Sequence, residues 1–146
     1  MKIDYNNIGV GVIAIGAALS ISNELSVAKA TLILPFITHN ESLYYLARTT
    51  TQVQSVEKLI SEKTSFFSNF NARYYDALTL SFSSIQYLTE MGYARYDEGV
   101  LLKIKSLEYD AKMGDRAKKI FQAANNVSAI LSESDKNLFL NLRVQL

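Results

Sequence analysis

The feature that most constrains the fold is a change of residue pattern at Gly92. Before it, Leu78, Phe82, Ile85 and Leu88 recur at helical spacing, which predicts a helix with one buried face. After it, 93–96 and 100–104 are short strand-like runs. The turn Asp97-Glu98-Gly99 between them predicts a three-residue loop with glycine in left-handed backbone. The chain therefore combines helices with a small β-hairpin.

Four helices are expected in the first 60 or so residues. Residues 8–21 are apolar on nearly every side, which suits a helix enclosed by its neighbours. A second helix is expected from Leu25 to Leu34, with Pro35 ending it. Thr38 and Glu41 have the spacing of a capping box, so a third should begin near His39. An amphipathic helix over 53–60 is the fourth.

Aromatic residues at helical spacing then surround Arg73 and predict a helix separate from the one that ends at Gly92. They are Phe66, Phe67, Phe70, Tyr74 and Tyr75. Beyond the hairpin, Gly114-Asp115 opens an amphipathic helix that runs to about Leu131, and residues 132–135 offer a cap for another. The alternation of Leu142, Val144 and Leu146 predicts an edge strand.

These patterns predict a mainly α fold with a small β-hairpin, in one compact domain over residues 1–146. A helical part covers about 1–65. A part over about 66–146 resembles a winged helix-turn-helix, because a helix, a glycine turn and a hairpin follow one another. Neither a repeat nor a Pro/Gly-rich linker marks a boundary within the 146 residues.

Composition limits the chemistry that the chain can perform. The 15 basic residues nearly balance the 14 acidic ones, so net charge favours no nucleic-acid coat. Without cysteine and with one histidine, thiolate metal sites and His-pair chemistry are excluded. We therefore expect no enzyme, no cofactor and no metal site. An enzyme would need a borrowed cofactor held through acidic residues and His39.

Two short apolar stretches raise the question of a membrane or targeting segment. The stretch from Ile8 to Leu19 has 12 residues, whereas a spanning helix needs about 20. Lys29 and Pro35 interrupt the second stretch. The sequence therefore predicts a cytoplasmic protein without membrane contact.

The segment Gly9-Val10-Gly11-Val12-Ile13-Ala14 matches the relaxed dinucleotide-binding pattern. It lacks a preceding strand and the alternation of strands and helices that such a site needs. Close helix packing is the favoured interpretation of these glycines.

The sequence also gives little support for DNA binding by the helix before Gly92 and the wing that follows it. The helix before Gly92 exposes mostly serine and threonine, and Asp97 and Glu98 at the wing tip repel phosphate. Protein contact is therefore favoured over DNA binding. Five lysines keep a DNA-binding regulator open as the alternative: Lys103, Lys105, Lys112, Lys118 and Lys119.

Partner contact is expected where tyrosine, arginine and neighbouring residues stand outside the regular core pattern, since Tyr and Arg often anchor interfaces. A capping or packing role for His39 and a structural role for Arg73 remain the favoured alternatives to partner contact. The candidates are Pro35, Phe36, His39, Tyr44, Tyr45, Arg73, Tyr93, Arg95 and Tyr96.

Four segments together carry a resemblance: Asn7-Ile8-Gly9, Leu32 to His39 with its Leu-Pro-x-x-x-His motif, Phe70 to Arg73, and Met91 to Ala94. With them, the chain from about residue 5 onward resembles the middle component of bacterial three-component ABC ATPase (ABC-3C) systems, including the small subunit of Lamassu-type anti-phage defence. Gly114-Asp115-Arg116, in a chain without tryptophan, departs from the Gly-Arg-Trp step common in such families.

The resemblance implies a non-catalytic adaptor. Its partners would be an SMC-like or Rad50-like ABC ATPase and an effector such as a nuclease. The adaptor would hold the effector inactive until the ATPase senses foreign DNA, and DNA contact would occur only through the complex.

Overall fold

The computed structural model describes the backbone of residues 2–146 and the side chains of residues 8–146. It is mostly helical with one small antiparallel sheet, as the sequence predicts. Along the chain the elements are α1 (Lys2–Ser22), β1 (Glu24–Ser26), α2 (Val27–Ala30), α3 (Ile33–Ile37), α4 (Asn40–Ala47), α5 (Val56–Glu62), α6 (Phe70–Glu90), β2 (Ala94–Asp97), β3 (Val100–Lys103), α7 (Asp115–Ile130) and α8 (Asp135–Asn141). Single 3-10 turns lie at Thr64–Phe66 and Ala111–Met113.

The C-terminal half of α1 is enclosed, as its apolar composition predicts. The helix packs against α6 and α7, and residues 14–19 are all buried. A Cβ on Gly11 would overlap Ser84 Oγ of α6. The glycines therefore lie inside a helix rather than in a phosphate-binding loop, which supports the packing interpretation.

The segment after α1 differs from the predicted helix over Leu25–Leu34. Leu25 lies in β1, and two short helices follow. Pro35 does not end a helix but is the third residue of α3, where its missing N–H would have had no intrahelical partner. Helix α3 is wholly buried and packs on α1, α4 and α6.

Thr38 is not the N-cap of the next helix, as the capping-box pattern predicted. It is the C-cap of α3 in helical backbone, and its Oγ1 donates to the Leu34 carbonyl at 2.8 Å. His39, whose backbone is extended, caps α4 instead. The predicted start of the helix near His39 is therefore right, although the capping residue is not.

Strand β3 lies in the centre of the sheet, in the order β1-β3-β2. Asp97 pairs with Val100, so the hairpin loop has two residues rather than the predicted three. Glu98 and Gly99 both have positive φ, at 48° and 82°, as a type I′ turn requires. Strand β1 was not predicted; it adds a strand from the N-terminal part of the chain to the hairpin.

Helix α6 is continuous over 21 residues, whereas the sequence predicted two helices before Gly92. Its end matches the prediction. Gly92 has φ 83°, and the Tyr93 N–H donates to the Leu88 carbonyl at 2.9 Å, as in a Schellman motif. The hairpin therefore leaves α6 in a direction set by this glycine.

The C-terminal segment is not the predicted edge strand. Leu142 and Val144 are buried, and Arg143 between them has φ 58°. The Gln145 N–H donates to Asn71 Oδ1 at 3.0 Å, and the Tyr75 hydroxyl donates to the Gln145 carbonyl. The segment is thereby held against the beginning of α6.

Candidate functional site

Arg73 connects α3 to the turn that precedes α6. Its Nε donates to the Pro35 carbonyl at 3.1 Å, and its Nη2 donates to the Phe66 carbonyl at 2.6 Å. The first of these carbonyls lies in the last turn of α3, where carbonyls lack intrahelical partners. The Arg73 guanidinium carbon also lies 5.5 Å from the centre of the Phe70 ring. One side chain thus satisfies two backbone acceptors and covers an aromatic face.

The Arg73 charge has no carboxylate within 4 Å among the side chains of residues 8–146. Burial lowers the pKa of the guanidinium from its ordinary value. Arginine nevertheless stays protonated at neutral pH. A positive charge without an acidic partner therefore lies partly buried at this point of the fold.

His39 lies beside Phe66 and caps the N-terminus of α4. Its Nδ1 accepts from the Ser42 N–H at 3.3 Å and lies 2.7 Å from Ser42 Oγ. Its ring meets Phe66 edge to face. Burial, and then the charge of Arg73, lower the pKa of His39, although Glu41 opposes them. The neutral ring is the form that can accept at Nδ1.

A groove of about 680 Å³ opens next to Arg73, between α1, α6 and α7. Its charged side chains are Arg73, Asp76 and Arg116. Its apolar side chains are Val10, Ile13, Ala77, Leu80, Met113, Ala117 and Ile120. Gly9 and Thr38 complete the wall. The groove therefore combines an apolar lining with two arginines and one carboxylate.

A smaller hollow of about 250 Å³ shares Arg116 with the groove. Tyr44 lines it and is 55% exposed, and Lys119 Nζ lies 5.4 Å from the centre of the Tyr44 ring. Arg116 thus connects the groove with Tyr44, an interface candidate from the sequence.

The structure brings together five of the sequence candidates around three phenylalanines. The Phe36 ring meets Phe67 edge to face and Phe70 at a tilt of 60°, and Tyr45 meets Phe66 edge to face. The five are Pro35, Phe36, His39, Tyr45 and Arg73. Pro35 and Phe36 are buried in the core, so their side chains present no free surface.

The hairpin candidates are more exposed. Tyr96 is 57% exposed, and Arg95 Nη1 lies 4.0 Å from Asp97 Oδ2. Tyr93 is half-buried, with Lys105 Nζ 4.5 Å from its ring centre. Arg95 and Tyr96 are therefore both exposed on β2, with their side chains on opposite faces of the sheet.

The five lysines considered for nucleic acid have different surroundings. Lys103 Nζ donates to the Ser20 carbonyl at 3.3 Å, in the last turn of α1. Lys105 covers Tyr93 and Lys119 covers Tyr44, while Lys112 and Lys118 are exposed. Lys103 is thus occupied within the fold.

The groove residues Asp76 and Arg116 were not among the sequence candidates. A signal for Arg116 was present: it is the second residue of α7, a first-turn position where the helix dipole disfavours a cation. The sequence could not show that α1 and α6 close a groove beside it.

Within residues 8–146, no cluster of three or more histidine, cysteine or acidic side chains could hold a metal ion. No helix in the described part of the chain has the length and apolar character needed to span a membrane.

A family model described as ABC-three component (ABC-3C) system Middle Component 3 matches residues 18–146. Comparisons with curated proteins and with solved structures found no match. The matched range includes the Leu-Pro-x-x-x-His motif, α6 and the hairpin, but not Asn7-Ile8-Gly9. The resemblance seen in the sequence is thereby confirmed at the level of the middle component. The chain belongs to the Middle Component 3 family of ABC-three component systems, and is therefore one part of a multi-component ABC system.

Proposed function

We propose that this chain is a non-catalytic adaptor of a cytoplasmic bacterial defence complex against phages or plasmids, of the Lamassu type. It bridges an SMC-like or Rad50-like ABC ATPase and an effector such as a nuclease. The single observation that carries the proposal is the family match over residues 18–146.

The surface supports a bridging role. An adaptor needs two contact regions, and exposed Tyr/Arg sets occur on two parts of this fold. One consists of Tyr44 with Arg116 and Lys119 on α4 and α7, and the other of Arg95 and Tyr96 on β2. Each set can serve one partner.

The mechanism is a shift between conformations of the complex. If the adaptor binds one ATPase conformation better than another, ATP or DNA binding to the ATPase changes how strongly the effector is held. The chain itself needs no catalytic group for this task.

The proposal is tested by affinity purification of the tagged chain expressed with its native operon, followed by mass spectrometry and light scattering. We expect an ABC-type ATPase and a second large subunit in a defined ratio. Recovery of only a monomer or homodimer would contradict the adaptor role.

The hairpin surface is tested by replacing Tyr93 and Tyr96 with alanine. We expect weaker partner capture with little change in the melting temperature, because Tyr96 is mostly exposed and Tyr93 is half-buried. Loss of folding would instead assign these tyrosines to the core.

A DNA-binding regulator of the winged helix-turn-helix class is the second candidate. The observation that favours it is the direct succession of α6, Gly92 and the hairpin, with β1 completing a three-stranded sheet. It predicts salt-sensitive duplex binding by the isolated chain that is lost on Lys103→Glu with Lys105→Glu. Absence of duplex binding at low salt would end this candidate.

A further inference from the structure

We propose that the groove between α1, α6 and α7 binds a short peptide segment of a partner subunit, in which an acidic side chain is flanked by apolar ones. The inference rests on the proposed adaptor function and names the surface and the partner chemistry. The apolar lining would receive the flanking side chains, and Arg73 and Arg116 would bind the carboxylate.

Charge complementarity is the first argument. Both arginines border the groove, and neither has a carboxylate within 4 Å among the described side chains. Asp76 is the one acidic residue in the lining, so the groove has an excess of positive charge. The Nε and Nη2 of Arg73 donate to backbone carbonyls, which leaves Nη1 available to a ligand. A carboxylate can accept a charge-assisted hydrogen bond from this remaining donor and can bind the guanidinium of Arg116 through two donors.

The position of Arg116 is the second argument. It is the second residue of α7, where the helix dipole disfavours a cation, and no hydrogen bond within the described part of the chain holds its side chain. A bound carboxylate there would interact favourably with both the arginine and the helix N-terminus. Among the described residues, Arg116 therefore has no structural partner that would explain its place.

Size and shape are the third argument. The volume of about 680 Å³ lies within the range of about 300–1,000 Å³ typical of ligand sites. Three helices supply the apolar lining, which resembles the way a groove between helices receives the side chains of a peptide. The hollow beside Tyr44 continues the surface through Arg116. The peptide can thus extend from the groove onto an exposed tyrosine.

The test uses the full chain and fluorescent peptides that tile both proposed partner subunits. Binding is measured by fluorescence polarisation at low and moderate salt. We expect the bound peptides to contain Asp or Glu next to apolar residues, and binding to weaken as salt rises.

The main variant is Arg116→Glu, because Arg116 is exposed and holds no backbone group. We expect it to weaken binding by about tenfold or more, as loss of a well-formed charge pair does. Lys118→Glu is the matched control, with the same charge change two residues further along α7, and should alter affinity by less than about twofold. Replacing the acidic residue of the peptide by lysine should restore part of its binding to Arg116→Glu.

The inference is overturned if no peptide binds, if the bound peptides lack an acidic residue, or if Arg116→Glu and Lys118→Glu weaken binding equally. Retention of peptide binding by Arg116→Glu together with loss of duplex DNA binding would assign the groove to nucleic acid and overturn it as well.

Assembly of the whole complex separates this inference from the adaptor proposal. If the wild type and Arg116→Glu both join the ATPase and the effector with equal affinity, the groove inference fails while the adaptor role stands. If the wild type joins neither protein, the adaptor role fails as well.

Discussion

Arg73→Ala is the substitution whose cost can be worked out most directly from the structure. It removes the donors to the Pro35 and Phe66 carbonyls, both on buried residues, and uncovers the Phe70 ring. A hydrogen bond from a charged donor contributes about 1.5–3 kcal/mol to stability. Because Arg73 is partly exposed, water can replace some of this, so we expect a loss of about 3 kcal/mol in the free energy of unfolding.

That loss corresponds to a fall in melting temperature of roughly 6–12 °C for a chain of this size. Urea unfolding followed by circular dichroism measures the free energy, since a domain this small should unfold in two states. Arg116→Ala is the control, and we expect it to stay within about 0.5 kcal/mol of the wild type. If Arg73→Ala also stays within that range, the assigned role of the two hydrogen bonds is wrong.

Three other substitutions test separate contacts. Burial and Arg73 lower the pKa of His39 below its unfolded value of 6.5, so the folded state binds fewer protons and stability should fall as the pH drops below about 6.5. The variant His39→Asn keeps a capping side chain, and in urea unfolding it should lose less stability between pH 7.5 and pH 5.5 than the wild type. An equal loss of stability would contradict the lowered pKa. Gly11→Ala should destabilise the fold by about 1–3 kcal/mol, because the added Cβ overlaps Ser84. Gly9 has open space around it, so Gly9→Ala should stabilise the fold by about 0.5–1 kcal/mol. Equal effects of the two variants in thermal unfolding would refute close packing at Gly11. Lys103→Ala removes the donor to the Ser20 carbonyl and should lower the free energy of unfolding by about 0.3–1 kcal/mol. Lys105→Ala is the control. A melting temperature that Lys103→Ala leaves unchanged would exclude a capping role for Lys103.

Elements with strong local patterns were predictable. The period of apolar residues placed α7, the backbone freedom of Gly92 placed the end of α6, and Ser134 caps α8 as its sequence indicates. In each case the interactions that define the element lie within a few residues of one another.

Several of the incorrect predictions concern contacts between distant residues. Strand β1 has three residues, and its pairing with β3, about 75 positions later, defines it. Thr38 and His39 were both possible caps, and the packing of α3 put Thr38 in helical backbone. The C-terminal segment alternates like a strand, yet Asn71 and Tyr75 at the start of α6 hold it in place.

The candidate site was predictable in part for the same reason. Arg73 among aromatic residues was visible in the sequence, and the structure adds the two carbonyls that it binds. The groove depends on how three helices meet, so the sequence could not show that Asp76 and Arg116 line one.

The central claim is that this chain joins two other proteins, and one mixing experiment tests it most directly. The purified ATPase and effector are combined with and without the chain, and the mass of each eluting species is measured by size-exclusion chromatography with light scattering. If the chain is an adaptor, the ATPase and the effector elute separately without it and as one ternary species with it. Co-elution of the ATPase and effector in its absence, or failure of the chain to bring them together, would contradict the account.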